Sequence, residues 1–458
     1  MLAANLKGSC VLILLILAVA FGALLPAGKA YAVPAYARQT GQECIACHVS
    51  FPELTPYGRY FKLTGYTIGE RQWVPLAMMA EGGLTSISNN TMGDGSGSVI
   101  SRNNNFLFSG ASLFLAGKAN DYLGAFIQYT YDNASTASTP AEHLKGHSGM
   151  DMADIRLVGK SYGLNAEEVD YIFGFTLNNN PTVQDVWNST PAFGFPFTAS
   201  PVALSPNAAT LIDGGLEQQV AGYGVYAYLK KTLYAELSFY QTADGMLSWM
   251  RHGQFPDEET RLQGLNPYYR VALTHDWGPH SAMVGAYGMY AKVFPDNNMP
   301  AGPTNKFTDN AFDTQYQYIT IPHVFTSQFT YIHERQNWDA NFPAGATSNA
   351  VDILKTWRGK VTYYYQRKYG ATFQYFDTSG SIDPNLYPAG AAATGNLNGS
   401  PNSRGQIYEL DYVPIQNVRL MLQYTAYNRF NGGTTNYDGF GRNASDNNTL
   451  FLNLWVAF

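Results

Sequence analysis

Val418-Arg419-Leu420-Met421-Leu422-Gln423-Tyr424 sets Val418, Leu420, Leu422 and Tyr424 on one side and Arg419, Met421 and Gln423 on the other. A period of two is the signature of a β-strand with two different faces. Just before it, Pro414-Ile415-Gln416-Asn417 is a tight polar link of the kind that joins antiparallel strands. The same alternation recurs in Leu233, Ala235, Leu237 and Phe239 against Tyr234, Glu236 and Ser238. It returns in Trp357, Gly359, Val361, Tyr363 and Tyr365 against Arg358, Lys360, Thr362 and Tyr364. About sixteen such segments follow Pro75, near 76–88, 104–117, 122–131, 150–162, 169–177, 218–229, 233–241, 267–275, 280–291, 312–321, 324–333, 354–365, 369–377, 404–413, 418–430 and 448–458. The segment near 104–117 is apolar on both faces, so its register is open. Tight links (276–279, 322–323, 366–368, 414–417) alternate with long polar ones, as in an outer-membrane barrel with periplasmic turns and external loops. The last residues, Leu450, Leu452, Leu454, Val456 and Phe458, alternate and finish on an aromatic. The expected fold is an all-β, transmembrane antiparallel barrel. A soluble sandwich explains neither the alternating link lengths nor the tyrosines at strand ends.

Composition agrees. Of 458 residues only 14% are charged, with 33 Tyr, 26 Phe and 44 Gly, and mean hydropathy is −0.19. Helical membrane proteins are more apolar, whereas barrel strands average apolar against polar. A net charge of −6 leaves no nucleic-acid footprint. Phosphate-binding glycine loops, zinc-protease helices and nucleophile elbows are missing from the sequence. Residues 1–32 read as a signal peptide: Lys7 is the positive charge, Val11 to Leu25 the apolar stretch and Ala30-Tyr31-Ala32 the cleavage site. Export fits a barrel bound for the bacterial outer membrane, in contact with its lipid. An even strand number puts both termini in the periplasm and the long loops outside. Cys10 leaves with the leader, so Cys44 and Cys47 are the cysteines of the mature chain.

Those two sit in Cys44-Ile45-Ala46-Cys47-His48. Two thiols two residues apart, followed at once by histidine, form the attachment signature of haem c. The thiols add across the two vinyl groups, and His48 becomes an axial iron ligand. A zinc site wants a second ligand pair and a redox disulfide wants a βαβ setting. Neither surrounds this run. Residues 33–75 therefore form a monohaem cytochrome module ahead of a barrel at 76–458. Within it, Thr55-Pro56 predicts a helix start, running to about Leu63 and stopping near Gly65. Some forty residues are too few to enclose a haem, so the module must lodge in the barrel lumen or at its mouth. Strand parity turns Glu81, Asp154, Arg156, Lys160, Glu236, Arg270, Arg358, Lys360, Glu409, Asp411 and Arg419 toward that lumen. Met79 shares the parity of Glu81 and is the candidate sixth ligand, against the alternative of a gap-filling methionine. His143, His147, His252, His275, His280, His323 and His333 are further candidates. Arg38, Arg59 and Lys62 are candidates for pairing with haem propionates.

The run Ala37-Arg38-Gln39-Thr40-Gly41, the Cys44–His48 motif, Pro52-Glu53-Leu54-Thr55-Pro56, Gly58-Arg59 and Phe61-Lys62 resemble the fused monohaem cytochrome–porins of the outer membrane. So do Pro75-Leu76-Ala77 leading into Met79 and Asn178-Asn179-Asn180-Pro181-Thr182-Val183-Gln184-Asp185. The best-known members are ferrous-iron oxidases of iron-oxidising bacteria. The resemblance implies haem on Cys44, Cys47 and His48, oxidation of extracellular Fe(II), and transfer of the electron to a periplasmic cytochrome c or similar carrier; the alternatives are a conduit for a different extracellular donor or acceptor, or a transport porin with a haem plug. No catalytic acid or base is required, since outer-sphere electron transfer forms no bonds.

Overall fold

The computed structural model describes residues 34–133, 146–162, 169–253 and 259–458. The leader and His143 lie outside them. Sixteen strands, every neighbouring pair antiparallel, close into a barrel in sequence order with β1 against β16. They are β1 (Leu76–Ile87), β2 (Phe106–Lys118), β3 (Leu123–Asp132), β4 (His147–Tyr162), β5 (Val169–Asn178), β6 (Val220–Leu229), β7 (Leu233–Thr242) and β8 (Asn266–Trp277). Then follow β9 (His280–Val293), β10 (Asn305–Ile319), β11 (His323–Asn337), β12 (Val351–Tyr365), β13 (Tyr369–Gly380), β14 (Ser403–Ile415), β15 (Val418–Arg429) and β16 (Thr449–Ala457). Strand number and alternation follow the sequence reading. The main difference is β10, which begins seven residues before the expected 312. There Lys306, Thr308 and Asn310 face out, so the segment reads as a polar loop although Phe307, Asp309 and Ala311 are buried inside. At β2 the open register is settled by a bulge: Glu81 pairs with Gly110 but Gly82 with Phe108. This sends Phe106 and Phe108 outward while Ser112 and Ala116 stay inside.

All eleven polar residues assigned to the lumen by parity do face it, paired with one another, with neighbouring wall residues or with what fills the barrel. Outside, Leu157, Phe173, Val225, Leu237, Val271, Leu273, Phe373 and Leu410 are exposed. Tyr365, Tyr369 and Trp277 ring the end that carries the short links. A closed barrel satisfies every backbone group internally and presents this apolar band only to lipid. The chain is a bacterial outer-membrane protein, with the short turns, the start of β1 and the finish of β16 at the periplasmic face and the long links outside.

Two segments fill the lumen. From the short-turn end come three helices, α1 (Ala35–Thr40), α2 (Cys44–Cys47) and α3 (Pro56–Leu63). From the other end comes the link between β5 and β6. This link was expected to be an external loop, but residues 179–192 are buried inside the barrel. The cause is local: its asparagines, Asp185 and backbone carbonyls find lumen partners, so polarity here marks a lined interior rather than solvent.

Candidate functional site

Helix α3 starts as its sequence predicts, the Thr55 hydroxyl accepting from the Gly58 amide at 3.2 Å with Pro56 at the first position. The Thr55 amide donates to the Cys47 carbonyl at 2.9 Å and the Val49 amide to the Glu53 carbonyl at 2.9 Å, while His48 and Leu54 form a short antiparallel bridge. The turn after the cysteines is thereby clasped onto α3. Gly58 is required for this approach: a Cβ there would lie 2.2 Å from the Cys47 carbonyl oxygen. Two periplasmic turns hold the motif from below. The Cys44 amide donates to the Gln416 side chain at 2.9 Å, and Arg367 donates to the Ile45 carbonyl at 2.8 Å and the His48 carbonyl at 3.3 Å.

The wall continues the grip. Glu53 meets Lys360 of β12 at 2.8 Å, both buried. The Leu54 amide donates to Asn188 of the inward link at 3.0 Å, and Tyr226 of β6 donates to the Leu63 carbonyl at 2.7 Å. Lys62 donates to the Val183 carbonyl at 2.6 Å and the Asp185 carbonyl at 3.0 Å. Burial draws its amine down to about 8.

Between module, link and wall lies a cavity of about 550 Å³, within the range of sites for bound cofactors. Cys44, Cys47 and His48 open onto it together with Met79 and Glu81 of β1. Phe61, Phe114, Phe126, Phe193 and Trp455 supply apolar walls. The thiols are free, and burial raises Cys47 to about 11. His48 lies against Phe51 with the rings tilted by 36° and centroids 4.4 Å apart, and its buried Nδ1 has no hydrogen-bond partner among the described residues. Burial lowers its pKa to about 4, so the imidazole is neutral, the form that ligates metal. Two thiols, a neutral imidazole and a thioether around one largely apolar space suit a haem c.

The other candidates separate. Arg38 is exposed and donates to the Leu76 carbonyl; it does not line the cavity. Arg59 is buried on the far side of α3, donating to Gln317 at 2.6 Å, Gln315 at 3.0 Å and Asp276 at 3.5 Å. It borders a different space, of about 350 Å³, with Trp187 and Tyr228. The cations at the cavity are Lys62 and Arg419. Among the described histidines, His48 alone lines it; His147 and His252 pair elsewhere, with centroids 4.8 Å apart. Met152 of β4 lines the cavity too and was missed, although it shares the parity of Asp154. Among the described residues, no three His, Cys, Asp or Glu side chains are placed to hold a metal ion.

No protein-family model matches the chain, and no curated protein does. Solved structures similar to it include the outer membrane channel DcaP of Acinetobacter baumannii, at 11% identity, TM-score 0.46 and coverage of 84% of this chain and 96% of that one. Another is an anion-selective porin from Comamonas acidovorans, at 11% identity and TM-score 0.42, covering 84% and 98%. A loop-deleted OmpT of Vibrio cholerae stands at 10% identity and TM-score 0.43, covering 84% and 98%. Fold and location rest on the barrel's own closure and its apolar outer band.

Proposed function

We propose that this barrel is an outer-membrane electron conduit that oxidises extracellular Fe(II) and delivers the electron to a periplasmic cytochrome c or similar carrier. The observation that carries the reading is one cavity inside the barrel onto which Cys44, Cys47, His48 and Met79 all open. Haem bound there would supply one-electron chemistry, which matches the single electron of the Fe(II)/Fe(III) couple. The chain's own residues do the rest. Cys44 and Cys47 would anchor the group, His48 would ligate it, and Met79 is the candidate second ligand with Met152 as its competitor.

Phe61, Phe126, Phe193 and Trp455 keep water from the site, while Lys62, Arg419 and Glu81 set its local charge. Arg367 and Gln416 hold the motif at the periplasmic turns, a short step from a soluble acceptor. Outside, insoluble ferric product is kept away from the cell interior. The competing reading is a transport porin with a haem plug, which the barrel itself admits; the two segments that enter the lumen from opposite ends narrow the path a solute would take.

The test is the absorbance of the purified holoprotein on adding Fe(II). Its haem should reduce, the His48→Ala protein should lose that response, and Met79→Ala should shift the midpoint potential. A haem indifferent to Fe(II) would reject the donor. Solute flux into liposomes that is unchanged by removing the haem would favour the porin.

A further inference from the structure

The outward face of the barrel is not uniform. Among the described strand residues, outward-parity lysines and arginines fall on one side only: Lys292, Lys306, Arg335, Lys355 and Arg404, on β9 to β14. Arg429 lies opposite Arg404 in the register. Strands β1 to β8 have none; their cations, such as Arg156, Lys160 and Arg270, point inward. The height is also shared. Counting Tyr365 as the first residue at the periplasmic end of β12, Lys355 is the eleventh; Lys306 is the fourteenth from Ile319 of β10. About nine to eleven residues of a tilted strand cross the hydrocarbon, so the arc sits at the outer headgroup level.

Directly below Arg404 the outer wall is grooved, with a volume of about 500 Å³. Phe329, Trp357 and Tyr375 are its sides, and Gly359 is its floor, where an added Cβ would meet nothing within 4 Å. Two of the cations are paired, Arg404 with Asp377, which also lines the groove, at 2.6 Å and Lys306 with Asp339 at 2.6 Å, so a phosphate must take Arg404 in competition with Asp377. Lys355 has no ion pair among the described residues.

We propose that this face is a docking site for a phosphate-bearing, acylated glycolipid of the outer leaflet. Its phosphates meet Arg335, Lys355 and Arg404, and one acyl chain lies in the groove over Gly359. Charge complementarity selects the headgroup. The groove continues the lipid-facing band, which selects a lipid over a free phosphate. A cation arc confined to one side would also orient the barrel among its lipids.

The experiment uses the full haem-loaded chain in nanodiscs of phosphatidylcholine doped with bisphosphorylated lipid A, its dephosphorylated form, or inorganic phosphate. Retained lipid is counted by native mass spectrometry. Bisphosphorylated lipid A should remain bound, and the dephosphorylated form should be retained about tenfold less. The triple variant R335Q/K355Q/R404Q should lose about tenfold, with haem absorbance reporting that it is folded. Gly359→Leu fills open space and so threatens no core contact; it should weaken retention severalfold with the cations intact. Equal retention of the dephosphorylated lipid, competition by inorganic phosphate alone, or unchanged retention in both variants would overturn the proposal.

Discussion

The two segments that fill the lumen enter from opposite ends and are held by different physics. The module arrives from the periplasm as three short helices, clasped through backbone contacts, the buried ion pair Glu53–Lys360 and the Arg59 guanidinium on Gln315, Gln317 and Asp276 of the wall. The link between β5 and β6 arrives from outside with no regular structure over residues 179–190 and is fixed by charge and amides. Arg270 of β8 lies 3.3 Å from Asp185 of the link and 2.7 Å from Asp313 of β10, all three fully buried. Around them Gln328 donates to the Trp187 and Asn188 carbonyls and Thr330 to the Ser189 carbonyl. An irregular backbone can lie at membrane depth only where protein satisfies its polar groups, and the lumen's amides do that here. The two segments also meet, through Lys62 on the Val183 and Asp185 carbonyls and Leu54 on Asn188, so the contrast turns on whether one end of the plug can be loosened without the other.

Breaking the Arg270 cluster should therefore have the largest effect. Arg270→Met leaves Asp185 and Asp313 buried together without their cation, and removing one partner of a buried pair costs about 3–5 kcal/mol. The variant should unfold at lower denaturant. The link should swing out, raising single-channel conductance in planar bilayers while the haem spectrum persists. Conductance equal to that of the parent would mean the link is held by its amides alone.

The complementary change is Lys360→Met. It strands Glu53 in the wall beside Gln317, 3.4 Å away, at a cost of about 3 kcal/mol. Here the expected readout is reversed: faster protease cleavage within 34–75 and a disturbed haem spectrum, with conductance nearly unchanged. If both variants moved both readouts together, the plug would be one cooperative body and the contrast would fail.

The same contrast governs what could be read from sequence. Strand number, inward parity and the start of α3 were legible because alternation and capping are local rules, and the lumen wall and the Cys44–His48 turn obey them. The link was not, because Asn178 to Asp185 carries a polarity that suits either water or a lined interior, and only the closed barrel decides between them. Parity placed Met79, and the same parity that turns Asp154 inward on β4 reaches Met152 as well. It had no hold on Arg38 and Arg59, which lie off the strands. Their directions are set by how α1 and α3 roll against the wall: Arg59 turns to Gln315 and Gln317 and Arg38 to the end of β1.

Glu217, at the root of the link, gives a smaller effect that tests the link's side of the cavity by pH. Burial first, then Asp151 and Asp213, raise its carboxyl from 4.5 to about 8. A carboxyl raised in the folded state binds its proton more tightly there than in the unfolded chain. Its contribution to stability is full below about pH 4 and is lost as pH rises through about 8. Glu217→Gln should flatten that slope between pH 5 and 8. An infrared carboxyl band that vanishes near pH 8 in the parent and is missing from the variant would assign the proton. A parent band already gone at pH 5 would show the carboxylate to be charged throughout.

Arg38 should matter least, and its smallness sharpens the module's side of the comparison. Its guanidinium is exposed and donates to the Leu76 carbonyl where the chain enters β1, so Arg38→Ala acts at the exposed rim and should shift stability by about 0.5 kcal/mol. Haem content and midpoint potential should not move. Lys62→Met, by contrast, takes a buried cation from the cavity wall and should shift the potential, because a charge is felt more strongly in a dry interior than at an exposed rim. A potential that moved with Arg38 and stayed put without Lys62 would mean that the charge controlling the site lies at the barrel mouth, and that the module is gripped from below rather than from within.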